Sequence, residues 1–216
     1  MSASLVGSEM CIRDSYKGMQ QTDLIGKLGI LVFIIVLGYE SISEAFEKIK
    51  EGQKADFYKE MAVTDTMTGV YNRSAFQEWE HETSDYEGYS IATFDLNNLK
   101  WCNDNLGHAA GDAYIQASAR IIKEIFGRHG KCYRIGGDEF CTVINQKSKK
   151  FDNARHVKQL RELEKYAEKE LGIKGLNVQI ACGYAEYDIK TDKNFEDTRS
   201  RADKKMYESK RRLKRE

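Results

Sequence analysis

The chain has 216 residues, 41% of them apolar, which is enough for one domain with a proper core plus an additional segment. Lys+Arg and Asp+Glu each number 34, so net charge gives no footprint for nucleic acid or for a polybasic membrane binder, and no nucleic-acid partner is expected. The five cysteines (Cys11, Cys102, Cys132, Cys141, Cys182) form no Cys-x-x-Cys pair and have no ligand-like spacing with the four histidines. This speaks against a disulfide framework or a zinc site and for reduced thiols in the cytosol.

Residues 1–15 stand apart. Leu5 to Ser15, LVGSEMCIRDS, resembles the translation of a sequencing-library adapter and is set aside as non-native; the gene is then expected to be cut at its 5′ end. Residues 16–39 form a membrane segment, with a transmembrane helix over about 24–39. Leu24 to Tyr39 carries a single charge, Lys27, near one end, and shows no polar face. Its 16 residues fall short of the roughly 20 usual for a span, but Lys27 can snorkel to one interface and Tyr39 suits the other. No small-residue cleavage motif follows, as a signal peptide would require.

Residues 40–64 turn charged and read as a signalling or linker helix. Ile42, Phe46 and Ile49 recur at helical spacing before the stripe turns polar at Gln53 and Asp56, short of a secure coiled coil. Gly52 is expected to weaken this helix. Beyond it, helical and strand patterns alternate. Helices are expected over 72–83, 111–126, 154–171 and 195–213, and strands over 90–95, 131–135, 139–144 and 176–184. The stripe Ile115, Ala119, Ile122, Phe126 marks the buried face of the second of these helices. The fold class is α+β, a sheet flanked by helices.

Two places carry chemistry. Arg134-Ile135-Gly136-Gly137-Asp138-Glu139-Phe140 reads as a hairpin whose glycines are expected at positive φ in a tight turn, with two carboxylates following on paired strands. Asp95 closes an apolar strand, where it suits either a helix N-cap or one ligand of a divalent metal bound with a nucleotide. Asp112 likewise suits a cap.

Residues 65–216 resemble a GGDEF domain, the diguanylate cyclase domain of bacterial signalling. Four motifs in order carry the resemblance: Asp65-x-x-Thr68-Gly69-x-x-Asn72-Arg73; Asp95-Leu96-Asn97-Asn98-Leu99-Lys100-x-x-Asn103-Asp104-x-x-Gly107-His108-x-x-Gly111-Asp112; Arg134-x-Gly136-Gly137-Asp138-Glu139-Phe140; and Ala202-Asp203-x-x-Met206-Tyr207-x-x-Lys210. The resemblance implies a ferredoxin-like sheet akin to polymerase palms and nucleotide cyclases. It also implies condensation of two GTP into cyclic di-GMP and two pyrophosphates by a homodimer using Mg²⁺ or Mn²⁺.

Carried over position by position, the resemblance makes Asp95, Asp138, Glu139 and the Leu96 carbonyl metal ligands, with Asp138 and Glu139 the catalytic carboxylates. Asn98 and Leu99 would cradle phosphate at a helix N-terminus, beside Lys100. Gly136 and Gly137 would give the nucleotide clearance. Asn103 and Asp112 would read guanine, since a carboxylate accepts from N1–H and N2–H₂ where adenine offers an acceptor. Lys210 and Lys214, four apart among seven basic residues in the last thirteen, would reach the polyphosphate. Lys214 stands where the family often has Arg, Asn97 where Asp is common, and Leu99 where Phe is common.

Many such domains carry an inhibitory Arg-x-x-Asp product site; the matching positions here are Gly127 and Gly130, so no product site is expected. The expected setting is the cytoplasmic membrane of a bacterium, with the domain in the cytoplasm. The competing reading is a catalytically silent GGDEF domain serving as a membrane-tethered binding or dimerisation module. Silent members usually lose the acidic turn residues, which this chain keeps.

Overall fold

The computed structural model describes residues 3–147, 151–172 and 178–215. The chain divides into two units, Met1–Tyr58 and Lys59–Glu216.

The first unit belongs to helix α1, Ala3–Val63. From Gly26 to Gly52 this helix is long and apolar enough to cross a membrane. Its apolar residues Leu28 to Leu37 are exposed, as are Ile42, Phe46 and Ile49. Gly52 does not break the helix. A lone interior glycine costs about 1 kcal/mol, which an otherwise continuous hydrogen-bond ladder tolerates.

The second unit follows the expected alternation. Helix α2 is Arg73–Glu82, β1 Tyr89–Asn97, α3 Leu99–Leu106, α4 His108–Phe126, β2 Gly130–Arg134, β3 Glu139–Asn145, α5 Asn153–Leu171, β4 Gln179–Glu186 and α6 Phe195–Leu213. The expected strand 176–184 starts in part outside the described residues. Helix α4 begins a turn earlier than the sequence suggested, because Gly107 at φ 85° caps it. Asp112 therefore lies inside the helix and caps nothing.

The sheet runs in the order β2-β3-β1-β4, and every pairing is antiparallel. This is the ferredoxin-like order expected from the resemblance. β1 is central and buried on both faces, so its alternation separates two apolar sets rather than an apolar and a wet one. Phe94 and Leu96 join Ile115, Ile122, Phe126 and Phe140 in one core; Ile91 joins Phe76, Tyr133, Val143 and Phe195 in the other. The four α4 residues picked out by periodicity are all buried.

Two features of the packing place the site. A Cβ on Gly183 would lie 2.0 Å from the Ala202 carbonyl oxygen, so α6 rests directly on the β4 backbone there. The Tyr114 hydroxyl, fully buried, lies 2.8 Å from the Asn97 carbonyl and accepts from Gln179 N–H at 2.9 Å, fastening the end of β1 to β4. Cys102, Cys132, Cys141 and Cys182 are buried free cysteines.

Candidate active site

The end of β1 and the β2–β3 turn form one structural piece. Asp95 sits directly opposite Glu139 across the ladder, and Leu96 N–H donates to the Asp138 carbonyl at 3.0 Å. Opposed residues of an antiparallel pair share a face, so the carboxylates of Asp95 and Glu139 emerge on the same side. That side is the one α6 covers. Lys210 from α6 brings Nζ within 2.6 Å of Asp95 Oδ1, and Asp95 is only 6% exposed. The contact is an undirected ion pair, since Oδ1 accepts no hydrogen bond. Asp95 is thus a strand residue, not a helix cap; the cap position before α3 belongs to Asn98.

Asn98 lies in the left-handed region at φ 64°, a conformation Asn tolerates better than most residues. Its side chain makes no cap bond to α3. The first N–H groups of α3 therefore take no cap bond from Asn98 and can meet an anion.

The turn itself departs from expectation. Neither Gly136 nor Gly137 has positive φ. The connection spans four residues, Ile135 to Asp138, and Ile135 and Gly136 N–H both donate to the Glu139 carbonyl, at 3.0 and 3.2 Å. The reversal is spread over enough backbone that no left-handed residue is needed. The glycines serve space instead: a Cβ on Gly136 would sit 2.8 Å from Glu139 Oε2, while Gly137 faces open space.

Arg134 holds this turn from beneath. Its Nε donates to the Gly136 carbonyl at 3.2 Å, its Nη2 to the Gly137 carbonyl at 2.8 Å, and its Nη1 to Asp65 Oδ1 at 3.2 Å. Asp65 in turn accepts from Thr68 Oγ1 at 2.6 Å. Burial would raise the Asp65 carboxyl, but the Thr68 hydrogen bonds and the Arg134 charge outweigh it and hold it below the usual carboxylate range. Asp65 and Arg134 were legible as motif letters, yet nothing in their spacing of 69 residues announced the pair.

A cleft of about 410 Å³ opens beside the turn, and its walls include Leu96, Asn98, Leu99, Lys100, Asp138, Lys210 and Lys214. Asn97, Trp101, Asp104 and Asn105, which sequence reasoning left without a role, line it too. Asn97 is 1% exposed, and neither its amide oxygen nor its amide nitrogen has a hydrogen-bond partner. Lys214 ends α6 at the C-cap, its N–H donating to the Lys210 carbonyl. Asp95 lies behind this wall, under Lys210. Glu139, Gly136, Gly137, Asn103 and Asp112 are not part of the wall. Asn103 lies elsewhere, where α3 and α4 touch, against Gly111, the residue before Asp112.

The residues at the strand end suit a divalent cation. A buried carboxylate already has a cationic group at contact distance, an unpartnered amide lies two residues on, and a second carboxylate borders the same cleft. Among the described residues no three His, Cys, Asp or Glu side chains converge as a metal group. An ion here would have to be shared between one or two carboxylates and substrate phosphates, as Mg²⁺ commonly is.

Antiparallel ferredoxin-like sheet, acidic strand end and glycine turn together place the second unit among palm-like nucleotide-cyclase domains. Residues 62–216, well over half the chain, match the diguanylate cyclase GGDEF domain family, and the chain belongs to that family. Diguanylate cyclases of this family generally use a divalent metal.

Among curated relatives, diguanylate cyclase DgcN of Escherichia coli strain K12 is 39% identical over 87 residues, 38% of this chain and 21% of that protein. Diguanylate cyclase A of Treponema denticola is 34% identical over 128 residues, 57% of this chain and 33% of that protein. The first such relatives are matched over only 15% to 44% of their own length. The coiled coil and GGDEF domain of DgcB from Caulobacter crescentus, solved in complex with c-di-GMP, superposes with TM-score 0.65 at 22% identity, over 81% of this chain and 94% of that one. This likeness speaks to fold.

Proposed function

We propose that the chain is a membrane-tethered diguanylate cyclase that joins two GTP into cyclic di-GMP as a homodimer. The observation that carries the reading is the acidic strand-and-turn pair: Asp95 opposite Glu139, tied through Leu96 to Asp138, with Lys210 poised above.

In each half-reaction a 3′-oxygen of one GTP attacks the α-phosphorus of the other, the bond to pyrophosphate breaks, and the 3′-hydroxyl proton leaves to a carboxylate or to solvent. Asp95, Asp138, Glu139 and the Leu96 carbonyl would hold Mg²⁺ or Mn²⁺, which would supply charge stabilisation to the displacement. Lys210 and Lys214 neutralise the polyphosphate, to which the Asn98 and Leu99 N–H groups also donate from the start of α3. Open space at Gly137 admits the nucleotide against the turn. Asn103 and Asp112 pair with guanine and reject adenine, whose acceptor at N1 would face an acceptor.

Each domain brings one GTP, so the active site is complete only when two copies face each other. The exposed stripe Ile42, Phe46, Ile49 on α1 supports pairing of that helix with a second copy. The exposed apolar residues of 24–39 support anchoring in the cytoplasmic membrane with the domain on the cytoplasmic side. Product inhibition through an Arg-x-x-Asp site is excluded from the proposal. Gly130 pairs with Ile144 so closely that a Cβ would lie 1.8 Å from the Val143 carbonyl oxygen, leaving no room there for Asp.

The deciding experiment incubates the full chain in detergent with GTP and Mg²⁺ and follows products by mass spectrometry. Cyclic di-GMP is expected. GTP binding without any cyclic di-GMP would instead establish the silent binding module.

A further inference from the structure

Side chains alternate along β1, so Asp95 and Asn97 project from the same face of the sheet, the one α6 covers. Both are buried, Asp95 at 6% and Asn97 at 1% exposure. Their surroundings differ in one respect. Asp95 faces the Lys210 ammonium at 2.6 Å, whereas the Asn97 amide meets no protein partner among the described residues, at either its oxygen or its nitrogen.

The fold makes no use of that amide. The backbone of Asn97 is held without it, by pairing with Gln179 of β4 and by the contact of its carbonyl with the Tyr114 hydroxyl at 2.8 Å. A buried amide that the protein leaves unpaired costs stability, and an apolar side chain of the same shape would remove that cost. A use for the amide lies instead in the cleft of about 410 Å³ that Asn97 borders together with Asp138, Lys210 and Lys214. Lysines there suit a polyphosphate, and the carboxylates suit its divalent cation. Phosphate oxygens only accept, so they pair with Nδ2–H; water on a divalent cation donates, so it pairs with Oδ1. An amide serves both at once. A carboxylate would offer acceptors alone and add negative charge beside Asp95, and an apolar side chain would offer neither.

We infer that Asn97 is a further substrate-binding residue of this site, its amide bridging the polyphosphate and the hydrated cation held at Asp95. The inference rests on the cyclase reading above and adds to it a residue that recognises the cation and the polyphosphate together.

The test measures binding of α,β-methylene GTP, which cannot release pyrophosphate, to the full chain in detergent by calorimetry with Mg²⁺ present, beside Asn97→Leu and Asn97→Asp. Asn97→Leu is expected to bind about tenfold more weakly, the loss of one or two hydrogen bonds, while its melting temperature without nucleotide stays level or rises. Asn97→Asp keeps an acceptor and loses the donor, so its affinity should fall at low Mg²⁺ and recover as Mg²⁺ is raised, a recovery that Asn97→Leu does not show. Wild-type affinity in Asn97→Leu overturns the assignment. So does a loss of affinity matched by a loss of melting temperature, which marks a structural role. GTP turnover is followed separately: wild type that binds the analogue but forms no cyclic di-GMP from GTP sinks the cyclase reading, and the affinity comparison still decides Asn97. Wild type that does not bind the analogue overturns both.

Discussion

Asn103 places its side-chain oxygen only 1.8 Å from where a Cβ on Gly111 would stand. The amide at the α3–α4 contact exists in its present position because residue 111 has no side chain. Gly111→Ala should therefore push Asn103 away without touching the base itself. We expect GTP affinity to fall about tenfold, the loss of one or two hydrogen bonds to a desolvated base, with the preference over ATP narrowed. Calorimetry with both nucleotides, and circular dichroism to confirm the fold, check this; unchanged GTP affinity would remove Asn103 from guanine recognition.

Asp138→Ala should abolish turnover while leaving the melting temperature nearly unchanged, because Asp138 is only half-buried and borders the cleft. Loss of a metal-holding carboxylate removes several kcal/mol of transition-state stabilisation, so a fall of about a thousandfold or more in kcat is expected.

Lys210→Met tests the other half of the strand-end pair. It strips the buried Asp95 carboxylate of its cation and should cost about 2 kcal/mol in metal-free buffer, less than a fully buried pair because Lys210 keeps some solvent contact. Added Mg²⁺ should then raise the melting temperature more in the variant than in wild type. An equal or smaller rise would argue against a cation at Asp95.

The Arg134–Asp65 pair makes stability depend on acid. Asp65 has a lowered folded pKa, so its contribution is complete above the unfolded value of about 3.8 and is lost as pH falls through the folded value. Asp65→Asn should lower stability at pH 7 by about 1 kcal/mol, discounted for partial exposure, and flatten the acid limb below pH 4. Urea titrations across pH 2.5–7 read both effects. A wild-type acid limb in Asp65→Asn would show that other carboxylates carry it.

Tyr114→Phe removes one hydroxyl that serves both Asn97 and Gln179 in the interior. A loss of about 1–2 kcal/mol is expected, since buried backbone groups lose a partner. Activity should fall with it, because the same hydroxyl fixes the end of β1 beside the cleft. Intact activity at reduced stability would confine Tyr114 to a structural role.

Inhibition by cyclic di-GMP should be weak. A sub-micromolar inhibition constant that disappears in Arg128→Ala, the arginine one residue out of register beside Gly127, would overturn the absence of a product site.

Much of this fold was written locally. The period of Ile115, Ala119, Ile122 and Phe126, the apolar run ending at Asp95 and the paired strands around Gly136-Gly137 are patterns within a few residues, and each formed the expected element. The family motifs likewise named Asp95, Asp138 and Lys210. What the sequence could not state was which distant residues meet. The strand order laid Glu139 across from Asp95, Gly183 let α6 descend until Lys210 reached that carboxylate, and Arg134 found Asp65 beneath the turn. The glycines of the turn, expected to supply positive φ, supply clearance instead, because turn length and the bonds to Glu139 were set by the sheet. Histidine spacing in the chain gave no hint that His129 and His156 meet, yet the packing of α5 on α4 closed 27 residues of separation to 3.1 Å. Local periodicity encodes elements; contacts between elements depend on burial and close packing summed over the whole domain, and only the tertiary structure resolves them.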